Sequence, residues 1–261
     1  MLSISTWNYL KADPDPSDLD RIIREINQNG FGIELWLNWS AAPELVDRQN
    51  WEHLKRIIDP QYPLSMHSRL VEYNDWDVLK EEIDMCHFLG SWILVVHPKS
   101  LGIMVSTLPE PILPEHVECD WETLAGLLPY ARERGVRIAL ENGPLEILRG
   151  VLEKLKSHPD RDQLGICIDV GHANLLHDQF ESPVLRFLDE FETHLIHLHL
   201  SDNYGLSDEH RMPGQGSIDW DMVIPRISGM NYTEAFVLES KVPQPLAVAE
   251  AARRFLGTLV G

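Results

Sequence analysis

The sequence predicts an α/β fold, a single (β/α)8 TIM barrel spanning residues 1–261, on three observations. Short apolar runs of strand character alternate eight times with amphipathic helical patterns. Six of those runs in succession close on a histidine or a carboxylate, as expected where strand ends converge on one mouth. The length of 261 residues and the hydrophobic content of 44% suit one domain with a large core, and no linker or low-complexity stretch interrupts the alternation.

Leu2–Thr6 opens the chain as a strand, ended by Trp7-Asn8. The breaker run Asp13-Pro14-Asp15-Pro16-Ser17 follows, and Ser17 caps a helix that runs to about Asn29. Gly32–Leu37 is the second strand, with Glu34 and Trp36 on one side, and Asn50–Ile58 the next helix. The third strand, Pro63–Ser68, ends in Met66-His67-Ser68, and the helix Asp75–Leu89 after it stops at Gly90. Trp92–His97 is a continuous apolar run closed by a histidine, the pattern of a strand buried on both faces.

Pro98–Cys119 holds Pro98, Pro109, Pro111 and Pro114 without periodicity and reads as the longest loop, a length that usually signals function. Helix Asp120–Arg134 leads into strand Arg137–Asn142, which closes on Glu141. Helix Pro144–Ser157 and strand Leu164–Val170 follow, the latter closing on Asp169 with His172 just beyond. Helix Pro183–Phe191 precedes the seventh strand, Leu195–Leu200, whose alternation sets Leu195, His197 and His199 on one face. Helix Asp219–Ile227, strand Ala235–Glu239 and helix Pro245–Leu259 complete the series.

Forty-one acidic residues against 22 basic ones give a formal charge of −19, a field that repels a phosphate backbone unless the cations are gathered on one face. The densest basic stretch, Arg132-Glu133-Arg134-Gly135-Val136-Arg137, reads as a solvated helix end, so nucleic acid is not an expected partner. Cys86, Cys119 and Cys167 are odd in number and lack CxxC spacing, which indicates neither a disulfide framework nor a thiolate zinc site. A reducing cytoplasm fits that usage. The start MLSISTWNYLKADPDP has no secretory pattern, and no apolar run reaches membrane-spanning length, so no membrane association is expected. Trp39, Trp51 or Trp76, where exposed, would suit the face of a homo-oligomer.

The chemistry concentrates in Leu195–Trp220, where His199 stands at the strand's C-terminal lip and Asp202, Asp208 and His210 follow in the loop. Imidazole and carboxylate are ligand types for zinc, manganese and iron. In a barrel the same mouth also collects His67, His97, Glu141, Asp169, His172 and Glu239. Any one of these has an ordinary use as a cap, a turn anchor or a backbone partner. Together their carboxylates repel one another strongly, and a divalent cation, or more than one, resolves that cost. His197 lies one layer deeper and suits core packing or a bond to a ligand rather than ligation. Glu34 is placed to bond substrate or a neighbouring ligand, or to stand as a paired carboxylate.

With ALEN, CIDVGH, HLSD and VLES at the strand ends, the chain resembles the xylose isomerase-like TIM-barrel superfamily over essentially its whole length. That superfamily holds sugar isomerases and epimerases together with endonuclease IV-type apurinic endonucleases. The resemblance implies one metal ion, Mn, Zn, Co or Mg, held by Glu141, Asp169, His199 and Glu239. His67 in MHS, His97 in VHP, His172 in DVGH, and Asp208 and His210 in DEH match the further positions of the endonuclease's three-zinc cluster. Two departures count against the endonuclease. Glu141 is followed by Asn-Gly-Pro-Leu-Glu rather than a Gly/Thr-rich segment, and His67 lies in HSRLVEY rather than an HAPY-like context. One counts against the ketose 3-epimerases, since Gly205 stands where they carry an arginine.

The leading expectation is a metal-dependent isomerase or epimerase of a sugar, polyol or related hydroxy-ketone. The cation polarises the carbonyl and an adjacent hydroxyl toward an enediolate, and Glu141 and Glu239 act as acid and base. His172, with His67 and His97, meets substrate oxygens. Asp202 supports His199, and Arg211 meets a phosphate or carboxylate or stands solvated. The alternative is a zinc-dependent phosphodiesterase resembling endonuclease IV, and a third reading is a non-catalytic barrel that binds a small molecule. Asp208 and His210 discriminate: held with His172 around a third zinc they favour the hydrolase, and facing substrate or solvent they favour the isomerase.

Overall fold

The computed structural model describes residues 1–9, 17–37, 47–105, 114–241 and 244–259. Eight strands form the barrel: β1 Leu2–Ser5, β2 Gly32–Trp36, β3 Leu64–His67, β4 Ile93–Val96, β5 Arg137–Glu141, β6 Leu164–Asp169, β7 Leu195–Leu200 and β8 Phe236–Leu238. Each pairs in parallel with its neighbour in sequence, and β8 closes on β1.

The outer layer is α1 Ser17–Gln28, α2 Arg48–Ile57, α3 Trp76–Leu89, α4 Trp121–Glu133, α5 Leu145–Leu155, α6 Val170–Asn174, α7 Pro183–Phe191, α8 Trp220–Ser228 and α9 Pro245–Leu256. Local chemistry sets their ends. Asp75 caps α3 by accepting from the amides of Asp77 and Val78, and Gly90 ends it in the left-handed region at φ 88°. Asp120 caps α4 through the Thr123 amide at 3.1 Å. The main core lies between barrel and helices, with Ile22, Ile26, Leu79, Leu128, Leu148 and Phe187 among its fully buried members.

Four expectations need correction. Pro98–Cys119 is not irregular throughout: Pro98–Leu101 forms a 3-10 turn, and Met104–Val105 pairs antiparallel with Val117–Glu118, while residues 106–113 lie outside the described residues. A short helix, α6, starts directly at Val170, because the Asp169 carboxylate accepts from the His172 amide and caps it. Leu195 packs with the outer core instead of sharing the face of His197 and His199. An irregularity opposite Ile166/Cys167 turns Ile196 into an interior cluster with Ile93, Val95, Ala139 and Cys167. Gly165 makes that possible, since a Cβ there would lie 2.7 Å from the Ile196 side chain.

Fourth, Trp51 is not an exposed aromatic. It is buried against Phe88, with the Arg48 guanidinium over its ring. Trp76 is partly buried on the core, and Trp39 lies outside the described residues. The three cysteines are free. Among the described residues no helix is long and apolar enough to cross a membrane.

Candidate metal centre

Parallel register places the ligand residues side by side. Asp169 of β6 is opposite His199 of β7, and Trp36 of β2 is opposite His67 of β3. Residues paired across adjacent parallel strands point to the same face, so the C-terminal strand ends deliver their side chains to one mouth.

His199 is the hub. Its Nδ1 lies 3.6 Å from Glu141 Oε1, 3.7 Å from Glu239 Oε2 and 4.0 Å from Asp169 Oδ2. Neither His199 Nδ1 nor Asp169 Oδ2 has a hydrogen-bond partner among the described residues, although both are fully buried. A tetrahedral shell with ligands at about 2.1 Å from the ion spaces its donors about 3.4 Å apart. Orphaned buried donors at nearly that spacing fit a divalent cation and are costly without one. Gly171 completes the pocket by close approach: a Cβ there would meet Ser201 Oγ at 2.2 Å and Asp169 Oδ1 at 3.0 Å.

Two further sets adjoin. Glu141 turns its other oxygen, Oε2, toward His67 Nε2 at 3.3 Å and His97 Nε2 at 2.9 Å. His172 Nδ1 is 3.1 Å from Glu141 Oε1, and its Nε2 is 3.2 Å from Asp208 Oδ2, which also faces His210 Nε2 at 2.7 Å. His67–His97–Glu141, Glu141–Asp169–His199 and His172–Asp208–His210 each offer ligand atoms within 4.8 Å of one another, as does Asp169–His210–Glu239. All nine mouth residues expected from the sequence are therefore brought together, with Glu141, Asp169 and His210 each shared between two sets.

His210 is the single non-glycine with positive φ among the described residues, at 47°. That conformation is strained for a side chain of this size, and it aims the ring inward. The ring also packs on Trp7 at 4.4 Å between centroids, and its Nδ1 meets the Glu239 carbonyl at 3.1 Å.

Electrostatics separate the carboxyls. Burial opposes ionisation of Glu141, but the His97 and His172 charges outweigh it and hold the carboxyl well below its usual range. Burial raises Glu239, and the His199 charge only partly offsets it beside Glu34 and Glu141. Burial lowers the His210 ring's proton affinity, but the Asp208 bond outweighs it and brings the ring up to about 9. Asp208 is lowered in turn, the His172 and His210 contacts overcoming the cost of its burial.

Glu34 and His197 form the layer beneath. Glu34 is fully buried beneath the candidate ligands. Its Oε2 accepts from Ser65 Oγ at 2.9 Å and lies 2.8 Å from His197 Nε2, and its Oε1 is 3.2 Å from His199 Nε2. A carboxylate on Nε2 fixes the tautomer that leaves Nδ1 free for an ion.

Asp202 does not support His199. Its carboxylate is spent on its own loop, accepting from Trp220 Nε1 at 2.8 Å, Gly214 N at 2.9 Å, Asn203 N at 2.9 Å and Ile218 N at 3.3 Å. Arg211 forks onto Glu209 at 3.1 and 3.2 Å and lies over the Tyr204 ring, so the structure brings it to none of the clusters. Asn142 was not singled out by the sequence, yet its Oδ1 accepts from Asp169 N at 2.5 Å and its Nδ2 donates to Asp169 O at 3.2 Å, fixing that strand end. Its place directly after Glu141 in ALEN was the available signal. Trp7 was likewise readable as the residue beyond the first strand.

A closed parallel barrel carrying imidazoles and carboxylates on its C-terminal lip defines a TIM barrel with candidate metal-ligand clusters at its mouth. The chain belongs to the xylose isomerase-like TIM-barrel family, whose model matches residues 11–259. It is 29% identical over 184 residues to the uncharacterized protein MJ1311 of Methanocaldococcus jannaschii, covering 69% of this chain and 60% of that relative. The match thus spans less than two thirds of the relative's length. Among solved structures it resembles a D-tagatose 3-epimerase-like protein with a TM-score of 0.76, at 22% identity over 98% of this chain and 96% of the other. It also resembles the TTHB071 protein of Thermus thermophilus, soaked with ZnCl2, with a TM-score of 0.67, at 27% identity over 93% and 94% of the two chains.

Proposed function

We propose that the chain is a metal-dependent isomerase or epimerase acting on a sugar, polyol or related hydroxy-ketone. The observation that carries this reading is the convergence of Glu141 and Glu239, from β5 and the end of β8, on His199 Nδ1 at 3.6 and 3.7 Å. A bound divalent cation, Zn, Mn, Co or Mg, supplies Lewis-acid polarisation of a carbonyl oxygen and its neighbouring hydroxyl. Glu141, Asp169, His199 and Glu239 would hold it.

The two glutamates differ in proton affinity, Glu239 raised and Glu141 lowered, and such a split suits one group that holds a proton and one that takes it. His172, beside Glu141, orients a substrate oxygen, and His67 and His97 bound the same side of the mouth. The likeness to a D-tagatose 3-epimerase-like protein supports the substrate class. The three free cysteines suit a reducing cytoplasm as its compartment. The test is solvent proton exchange into a converted substrate. Glu239→Gln keeps the fold and abolishes exchange, and normal exchange in that variant removes Glu239 from the acid/base pair.

A second reading, a zinc-dependent phosphodiesterase resembling endonuclease IV, is favoured by one specific observation: Asp208 faces both His172 and His210, and Glu141 turns its second oxygen to His67 and His97. That is the arrangement by which the hydrolase gains. The net charge of −19 opposes a nucleic-acid substrate. Three tightly held zinc ions together with cleavage of an abasic duplex would establish the hydrolase, and one exchangeable ion with ketose–aldose conversion the isomerase.

A further inference from the structure

Beside the ligand clusters the mouth opens into a cavity of about 530 Å3, bounded by the residues after β3, the 104–105 strand and the start of α5. Its inner end is polar, formed by His97, Glu141 and His172. Its wall is aliphatic: Val71, Ile103, Met104, Val105, Pro144 and Ile147. Pockets of about 300–1,000 Å3 take whole ligands of drug size, so the volume exceeds what a metal-held pair of oxygens alone requires.

The polar groups on this wall are already engaged. The Asn142 amide is spent on Asp169, and Lys99 at the rim is paired with Glu72. A polyhydroxylated chain laid along the aliphatic residues would lose water without gaining partners from them. Met104, in contrast, is 61% exposed, apolar surface that an apolar ligand would cover.

We infer that the substrate carries an alkyl or aryl group beside the oxygen pair taken by the metal centre, and that this group lies along the Val71–Ile103–Met104–Val105–Ile147 wall. The inference rests on the proposed metal centre and narrows its substrate from a bare sugar or polyol to a hydroxy-carbonyl head with an apolar appendage. Val71, Met104 and Val105 are then specificity-determining residues, distinct from the ligand residues that hold the head group.

The experiment uses two hydroxamates with the same chelating head, acetohydroxamate and hexanohydroxamate, titrated calorimetrically into the full chain loaded with Zn²⁺. Each methylene buried on the wall tightens binding about fourfold, so hexanohydroxamate, four methylenes longer, binds about 15-fold tighter with two of them buried and about 250-fold tighter with all four. That ratio falls toward one in Met104→Asp and in Val105→Asp. Met104 stands mostly in solvent, so its replacement leaves the fold intact. Equal affinity for the two hydroxamates, or a ratio unchanged in both variants, overturns the apolar subsite while leaving the metal centre standing. Failure of both hydroxamates to bind zinc-loaded protein shows that the ion offers no open position to an oxygen pair and overturns the inference, while failure of the protein to take up zinc overturns the metal centre itself.

Discussion

Glu34→Gln isolates the layer beneath the metal centre. The substitution preserves shape and an acceptor for Ser65 Oγ, but it removes the charge facing His197 Nε2 at 2.8 Å and His199 Nε2 at 3.2 Å. In the native protein, burial opposes ionisation of Glu34, and the His199 and His197 rings overcome it and keep the carboxylate ionised. Charge-assisted hydrogen bonds contribute about 1.5–3 kcal/mol each, so weakening both costs about 3 kcal/mol and lowers Tm by about 6–12 °C. The more diagnostic effect is on the ion. Without the carboxylate on Nε2, His199 loses the partner that fixes its orientation and raises the basicity of Nδ1 toward an ion. Removing such a partner typically weakens metal binding about 10–100-fold. Competition against a chromophoric chelator, with thermal unfolding alongside, measures both. Wild-type zinc affinity in a folded Glu34→Gln protein would refute the claim that Glu34 orients His199.

Asp202→Ala strands the buried Trp220 indole N–H and three amides of the loop, a cost of about 3 kcal/mol or more and a Tm drop of about 6–12 °C by calorimetry; an unchanged Tm contradicts the role given to Asp202. In metal-free protein His210 is raised from 6.5 to about 9 by Asp208, so its contribution to stability is full below pH 6.5 and lost as pH rises through about 9. Denaturant unfolding across that window should show a loss that is smaller in His210→Asn. Bound zinc displaces those protons, so loading the metal flattens the profile and releases protons to buffer, and a profile indifferent to zinc counts against His210 as a ligand.

The barrel was legible because its signals are repetitive and local. Each apolar run needed only its own residues to read as a strand, and convergence of the strand ends followed from closure rather than from any single motif. The candidate ligand residues were legible for the same reason: Glu141, Asp169 and His199 sit at strand ends, where period and position agree. What the sequence could not show depends on contacts between distant segments. Glu34 reads as a carboxylate placed to bond substrate or a neighbouring ligand or to stand paired, and only the barrel's interior shows that the neighbour is His199, 165 residues away. Asp202 sits in the right place for a partner of His199, but the loop folds back so that Trp220, Gly214 and Ile218 claim its oxygens first. The displacement of Leu195 by Ile196 requires knowing that Gly165 on the neighbouring strand leaves room. The aliphatic cavity wall draws Val71, Met104 and Ile147 from three separate connections, and no window of sequence contains them together.

Glu141 is central to the proposed metal centre: its Oε1 lies 3.1 Å from His172 Nδ1 and 3.6 Å from His199 Nδ1, and its Oε2 faces His67 and His97. The direct measurement is metal content by mass spectrometry after purification and after dialysis against equimolar Zn²⁺, for the wild type and for Glu141→Gln. The structure predicts at least one stoichiometric ion in the wild type and loss of that ion in a folded Glu141→Gln. Wild-type protein that takes up no zinc, or a Glu141→Gln variant that retains the full complement, would contradict it.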